Sequence, residues 1–183
     1  MTQSHNPPMT ALKLALGAIF AALVFVATYS FVVPIPATSG YFNLGETTIY
    51  VAALMFGPYV GAIAGAGAAI ADMAVPGAAQ FAPGTFLIKG FEGATVGFLY
   101  IRLQRYMSNR GLCAVVSIVG GGLIMVSGYF LYEILVLGYP FAVALVEIPI
   151  NIIQMLVGLV VAIPIANVIL RIFPQLESKR TTF

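Results

Sequence analysis

The sequence predicts an all-α integral membrane protein, a bundle of six transmembrane helices with both termini in the cytoplasm. The 183-residue chain is 61% hydrophobic and only 8% charged, and its mean hydropathy is +1.02, far above the range of a soluble domain. We interpret residues 1–183 as a single membrane domain. About 20 apolar residues cross a bilayer. The chain has five apolar segments, which are 11–33, 47–75, 84–102, 111–137 and 141–171.

The second apolar segment decides the number of helices. It is long for one membrane helix and short for two, and the pair Gly57-Pro58 interrupts it. Cytoplasmic loops carry an excess of lysine and arginine, and only two crossings in this segment place all basic clusters on one side. The three clusters are Lys13, the loop with Arg102, Arg105 and Arg110, and the end with Arg171, Lys179 and Arg180.

Each of the six helices then follows from the pattern. Helix 1 runs past about 20 residues without a small-residue cleavage site, so no cleaved signal peptide is expected. Helix 2 is short, and we expect it to be tilted or to meet the membrane off-normal. Helix 6 stays intact despite Pro149 and Pro164, because splitting it would put the C-terminal tail outside. The predicted bounds are about 11–33, 47–56, 58–75, 84–102, 111–137 and 141–171.

The composition excludes several kinds of site. The single Cys113 excludes a disulfide within the chain and a multi-cysteine metal site. The only histidine, His5, lies in the polar N-terminal tail. The sequence contains no G-x4-GK-[ST] phosphate loop, so the chain is not expected to hydrolyse ATP. We predict no cofactor, no metal and no nucleic-acid partner, since the basic residues are topology signals in the lipid bilayer.

The acidic residues are the strongest functional signal. Burying a charged side chain in the bilayer costs about 3 kcal/mol on insertion scales, so such residues are usually functional. Only Glu177 lies in an ordinary polar tail. The other five fall in or at the edge of helices, toward the outer face, and predict a pocket that opens outward. They are Glu46, Asp72, Glu92, Glu133 and Glu147.

Glu147 and Asn151 are the best ligand candidates among these polar residues. Residues four apart share a helix face, so the two side chains can address one ligand together, with Gln154 one step deeper. The other candidates have structural alternatives. Lys89 and Glu92, three apart, would neutralise each other.

Three further acids also leave two interpretations open. Asp72 would either bind ligand or hydrogen-bond a neighbouring helix end. Glu133 would either bind ligand or lie at headgroup level, where its charge costs little. Glu46 would either bind ligand or serve as a helix N-terminal charge favoured by the macrodipole.

Two outer connections are expected to border the pocket. The segment 34–43 has two prolines and two aromatic residues, which suits a lid with Tyr41 or Phe42 stacking on a flat ligand and Asn43 beside it. The segment 76–85 brings Gln80 and Phe81 near the same mouth. The alternative for both segments is a structural connector.

Small residues spaced by four mark faces where helices approach closely in a membrane. Such stripes either pack within this chain or dock another membrane subunit, and the sequence does not separate the two. The stripes consist of Ala11, Ala15, Ala18 and Ala22 in helix 1, and of Gly57, Gly61 and Gly65 at and after the break.

Three segments resemble one family of membrane proteins. They are the run 40–46 (GYFNLGE) leading into 53–61 (ALMFGPYVG), then 82–93 (APGTFLIKGFEG), and 147–154 (EIPINIIQ). They are similar to the substrate-binding S components of energy-coupling-factor (ECF) vitamin transporters. The motifs mark the riboflavin/hydroxymethylpyrimidine-type group, and the similarity runs from helix 1 through helix 6.

The resemblance implies a six-helix protein of a prokaryotic plasma membrane that binds a water-soluble vitamin or precursor at the outer face. It also implies docking on a transmembrane T subunit driven by two cytoplasmic ATPase subunits, with toppling to release the cargo inside. The family contacts the T subunit through alanine-x3-alanine on helix 1, which Ala18 and Ala22 match here. The site residues that carry over are Asn43, Lys89, Glu92, Glu133, Glu147 and Asn151.

The acids also bear on the ligand. Five of them against Lys89 favour a ligand with hydrogen-bond donors, and an aminopyrimidine such as hydroxymethylpyrimidine, the thiamine precursor, is the best match. Riboflavin, pyridoxine and pantothenate are alternatives, whereas the absence of tryptophan argues against thiamine itself. A self-sufficient proton-coupled secondary transporter using the same carboxylates is the rival from another class.

Overall fold

The computed structural model describes residues 9–173, so the expectations for His5, Glu177, Lys179 and Arg180 lie outside the described residues. The described part is mostly helical. Six α-helices carry it, and their bounds are α1 Met9–Ser30, α2 Gly45–Phe56, α3 Pro58–Ala74, α4 Ala82–Leu103, α5 Arg110–Leu135 and α6 Phe141–Ile172. These bounds match the predicted helices to within a few residues, including the break at Gly57-Pro58 and the uninterrupted α6.

The connection between α1 and α2 corrects the all-α prediction. Helix α1 ends at Ser30 and is followed by a β-hairpin, strands β1 (Val33–Ile35) and β2 (Gly40–Phe42), which pair antiparallel. A residue before proline is biased toward extended backbone, and Val33 precedes Pro34. Valine, tyrosine and phenylalanine also favour strands, so the predicted extension of helix 1 to residue 33 was wrong. A 3₁₀ helix, Ala79–Phe81, lies in the other outer connection.

Within the described residues, three helices are long and apolar enough to cross a membrane by length and composition: Ala11–Ser30, Arg110–Leu135 and Phe141–Ile172. Helices α2 and α3 have 12 and 17 residues and reach about 18 and 25 Å at 1.5 Å per residue. Helix α4 has 22 residues but carries Lys89 and Glu92. The crossing of all six helices therefore stays a prediction.

Helix α2 lies at the centre of the bundle. Its residues are buried from Ile49 through Phe56, and it contacts α1, α3, α4 and α6. The outer helices follow one another around it, with α1 against α3, α3 against α4, α4 against α5 and α5 against α6. Gly57, at φ +83°, makes the turn from α2 into α3 in a conformation that other residues rarely adopt. Helix α2 is therefore a buried core helix that ends where Gly57 and Pro58 turn the chain into α3.

The two predicted small-residue stripes have different environments. A Cβ added at Gly61 or Gly65 would collide with the backbone of α4, at Gly93 and Lys89 respectively. The described glycines of the second stripe are thus covered by α4, and internal packing explains them. Along α1, by contrast, the alanines of the first stripe are exposed together with Leu14, Ile19 and Leu23. This face is available to a partner or to lipid.

Candidate ligand-binding site

A cavity lies beneath the hairpin, between α3, α4, α5 and α6. Its volume is about 30 Å³, enough for one or two water molecules. Most of its lining side chains carry a hydrogen-bonding group, and three are aromatic. The lining consists of Gly40, Tyr41, Asn43, Asp72, Phe81, Thr85, Tyr129, Glu147, Asn151 and Gln154.

Five of the residues predicted from the sequence meet at this cavity. They are Tyr41, Asn43, Asp72, Glu147 and Asn151. Glu147 and Asn151 face it from adjacent turns of α6, as expected for residues four apart. The remaining predicted residues lie around the cavity rather than in its wall.

The hairpin and the residue after it close the cavity through three hydrogen bonds to polar side chains of α3 and α6. The hydroxyl of Thr38 donates to the carboxylate of Glu147. The hydroxyl of Tyr41 donates to Asp72 Oδ1 at 2.5 Å, and the backbone N–H of Asn43 donates to Gln154 Oε1 at 2.8 Å. These contacts place the segment over the pocket, where the sequence analysis expected a lid.

Tyr41 and Tyr139 hold the hairpin from two sides. Burial, together with the nearby Asp72 carboxylate, raises the pKa of the Tyr41 phenol well above its ordinary value. Burial likewise raises the pKa of Tyr139, whose hydroxyl donates to the Thr38 carbonyl at 2.6 Å. Both phenols stay protonated near neutral pH, so Tyr41 remains a donor from the hairpin to Asp72 on α3 and Tyr139 remains a donor to the hairpin backbone.

A buried charged network lies below the cavity and includes three predicted ligand residues. Lys89 forms ion pairs with Glu46 and, at 3.3 Å, with Glu92. The hydroxyl of Tyr50 donates to Glu92 at 2.7 Å, and Gln154 Nε2 donates to Glu46 at 2.8 Å. Glu46, Lys89 and Glu92 do not line the closed cavity, and their contact with a ligand stays a prediction. Lys89 offsets the charge of the two carboxylates in part, and the cluster joins α2, α4 and α6.

The network reaches the cavity through two residues. Gln154 spans the two regions, since its amide donates to Glu46 and accepts from the Asn43 backbone. The Lys89 ammonium also lies 5.4 Å from the centre of the Tyr129 ring, a cation–π distance. The charged cluster does not line the cavity itself, but it contacts Gln154 and Tyr129, which do.

Glu133 lies beside Glu147 near the end of α5 and is buried within the bundle. Its ligand-binding and headgroup-level interpretations both stay predictions. Neither of its carboxylate oxygens has a hydrogen-bond partner among the described residues, and its carboxyl group adjoins that of Glu147. Two adjacent carboxylates repel unless a proton, a cation or a donating ligand comes between them. Glu133 is thus a buried carboxyl group without a hydrogen-bond donor among the described residues, whereas Glu147 accepts from Thr38.

Phe42 and Gln80 were also predicted to contact the ligand, and neither lines the cavity. The ring of Phe42 packs edge-on against Phe31 at 6.1 Å, because β2 alternation points it away from its neighbour Tyr41. Gln80 is exposed, and its amide donates to the Tyr139 hydroxyl at 2.8 Å. Gln80 therefore lies outside the cavity and contacts the hairpin only through Tyr139, whose hydroxyl donates to the Thr38 carbonyl.

Five lining residues were not among the predicted ligand contacts, although the sequence held a signal for four of them; they are Gly40, Phe81, Thr85, Tyr129 and Gln154. Thr85 and Tyr129 lie four residues before Lys89 and Glu133, on the same helix faces, and Gln154 follows Asn151 by three. The hydroxyls of Thr85 and Tyr129 meet at 3.0 Å. Phe81, which the sequence predicts near the mouth of the pocket together with Gln80, lies in the 3₁₀ helix and lines the cavity.

Polar side chains from the hairpin and four helices thus converge on one closed cavity at one end of the bundle. Residues 9–171 match the family described as "ECF-type riboflavin transporter, S component". The chain belongs to this family. It is therefore the S component of an ECF-type vitamin transporter, which confirms the resemblance seen in the sequence.

Two curated relatives agree with this membership. The S component is 37% identical over 139 residues, 75% of this chain and 88% of the other, to an uncharacterized protein in the gap 3′ region of Pyrococcus woesei. It is 34% identical over 151 residues, 82% of each chain, to the thiamine precursor transporter HmpT of Lactococcus lactis subsp. cremoris.

A solved structure shows the same fold. This chain superposes on a solved S component of a bacterial ECF transporter with a TM-score of 0.65 at 17% sequence identity. The superposition covers 90% of this chain and 98% of the other chain. The family is membrane-embedded and serves transport as a substrate-binding subunit, not as an enzyme. Its members associate with T and ATPase subunits.

Proposed function

We propose that this S component captures hydroxymethylpyrimidine, the thiamine precursor, at the outer face of a prokaryotic plasma membrane. The observation that carries the proposal is the small polar cavity in which Glu147 and Asn151 face aromatic rings. The named relative HmpT, a thiamine precursor transporter, supports the same ligand class.

The chemistry of an aminopyrimidine suits these groups. Its exocyclic amine donates to the Glu147 carboxylate, and a ring nitrogen accepts from the Asn151 amide. The ring stacks on Tyr41, Phe81 or Tyr129, which border the cavity on separate elements. A donor between Glu133 and Glu147 would also relieve the repulsion of that pair.

Binding requires the hairpin to move. The cavity of about 30 Å³ is roughly a tenth of a typical ligand pocket, so the observed state is closed. The ligand would take the place of the Thr38 hydroxyl on Glu147. A small single-ring ligand demands less opening than the three fused rings of riboflavin.

Riboflavin is the second candidate, and the description of the matching family favours it. Pyridoxine remains an alternative. Pantothenate fits less well, because its carboxylate would face Asp72 and Glu147.

Transport would require partners. We propose six crossings with both termini cytoplasmic, and docking of a T subunit on the exposed α1 face that carries Ala11, Ala15, Ala18 and Ala22. Two cytoplasmic ATPase subunits would supply the energy.

Titration of the purified chain with hydroxymethylpyrimidine and with riboflavin tests the ligand. We expect hydroxymethylpyrimidine to bind about 100-fold or more tightly than riboflavin, because the acid and amide groups lose their partners with the wrong ring. Calorimetry measures both affinities, with pantothenate as the control for non-specific binding. Tighter binding of riboflavin would contradict the assignment and favour the second candidate.

A further inference from the structure

A continuous apolar groove runs along the surface between α3 and α4. Its two larger sections have volumes of about 440 and 580 Å³ and share Ala62. Ala94, on the facing helix, also borders both. A third section of about 110 Å³ continues from the second and shares Pro58 and Phe98 with it.

The shape of the groove suits an extended acyl chain. Small residues, Ala62 on α3 and Gly90 and Ala94 on α4, form its floor. Phe91 and Phe98 stand along α4 with 62% and 60% of their surfaces exposed. The helices approach closely through glycines, and the larger side chains leave the seam between them open.

The inner end of the groove is basic. Arg102 and Arg105 line its third section and are exposed. Lys13, from α1, lies 5.1 Å from the centre of the Tyr59 ring, which borders the second section. Within residues 9–173, no aspartate or glutamate lines any of the three sections. The groove lining therefore changes along the helix axis from apolar residues at one end to arginines at the other.

The dimensions match one leaflet of a bilayer. From Ala94 to Arg102 the helix advances about 12 Å, close to the roughly 15 Å of half the hydrocarbon core. With the inner end of α4 on the cytoplasmic side, the arginines lie at the depth of the headgroups. The apolar sections then lie at the depth of acyl chains.

We propose that the α3–α4 groove binds an anionic phospholipid of the inner leaflet. Its acyl chain lies along Ala62 and Ala94, and its phosphate contacts Arg102 and Arg105. Arginine pairs with phosphate in a bidentate geometry. A neutral helix of another subunit would leave the two guanidinium groups without a counter-charge, so the charge pattern favours the lipid.

Native mass spectrometry of the purified full chain tests the proposal with two probes, phosphatidylglycerol and phosphatidylcholine of identical acyl chains. We expect a preference for phosphatidylglycerol. The double variant Arg102→Gln with Arg105→Gln should lose about fivefold of that preference per arginine, or about 25-fold for the pair. Ala62→Leu fills the groove and should weaken binding of both lipids.

A matched control carries the same charge change elsewhere on the inner face. Arg110→Gln with Arg171→Gln alters α5 and α6, outside this groove, and should keep the preference. If the arginine variant fails to fold, Ala62→Leu still tests whether lipid occupies the groove, and unchanged binding of both lipids to this variant overturns the proposal. Equal binding of the two lipids, or the same loss in the control, overturns the proposal. Cross-linking of an Ala62→Cys or Ala94→Cys variant to a T subunit in the absence of bound lipid also overturns the proposal.

Discussion

Replacing Glu147 with glutamine is expected to lower the affinity for hydroxymethylpyrimidine by about 10- to 100-fold, the usual worth of a hydrogen bond to a charged group. Replacing Asn151 with alanine should lower it about tenfold, because a buried amide partner is lost. Both side chains face the cavity from adjacent turns of α6. Calorimetric titration of each purified variant measures the effect.

The stability of these variants separates a binding role from a structural one. Glu147→Gln removes one charge from the pair with Glu133, so thermal stability should stay the same or rise while affinity falls. Asn167→Ala is the control for Asn151→Ala, because Asn167 is exposed at the inner end of α6. Unchanged affinity in both Glu147→Gln and Asn151→Ala would remove this cavity as the ligand site.

Replacing Lys89 with methionine should be the most destabilising single change. Lys89 is buried between Glu46 and Glu92, and removing one partner of a buried ion pair costs about 3–5 kcal/mol. Methionine keeps the length and the apolar stem, so the loss comes mainly from the two carboxylates left without a cation. Thermal unfolding in detergent should show a drop in Tm of roughly 10 °C.

Neutralising the carboxylates should restore this loss. Adding Glu46→Gln and Glu92→Gln to Lys89→Met removes the uncompensated charge, and stability should return to within about 1 kcal/mol of the parent chain. Lys13→Met is the matched control at a half-buried site on α1 and should change stability little. If the single variant is as stable as the parent, the network does not hold α2, α4 and α6 together.

The helices could be predicted because their determinants are local. Apolar length, the Gly57-Pro58 pair and the position of the arginines fixed six helices to within a few residues. The hairpin has only a weak local signal, the extended Val33-Pro34 pair, and its position over the cavity comes from contacts of Thr38 and Tyr41 with α6 and α3. Such contacts depend on tertiary packing, which leaves no periodic pattern in the sequence.

The site was predictable where two residues share a helix face. Glu147 and Asn151 are four apart on α6, and the structure places both at the cavity. Lys89 and Glu92 also share a helix face, being three apart on α4. They do not line the cavity, because Lys89 pairs with Glu46 of α2 instead. The rotation of one helix against another is not readable from one sequence, and it decides which polar residues line the cavity. Tyr129 was missed because a tyrosine in an apolar helix looks like an interfacial residue.

Uptake into liposomes tests the central claim most directly, namely that this chain is a binding subunit rather than a complete carrier. We expect the purified chain alone to bind labelled hydroxymethylpyrimidine without accumulating it, even under an imposed pH gradient. Accumulation should require a T subunit, both ATPase subunits and ATP in the same liposomes. Accumulation by the chain alone, driven by the pH gradient, would contradict the account and support a proton-coupled transporter.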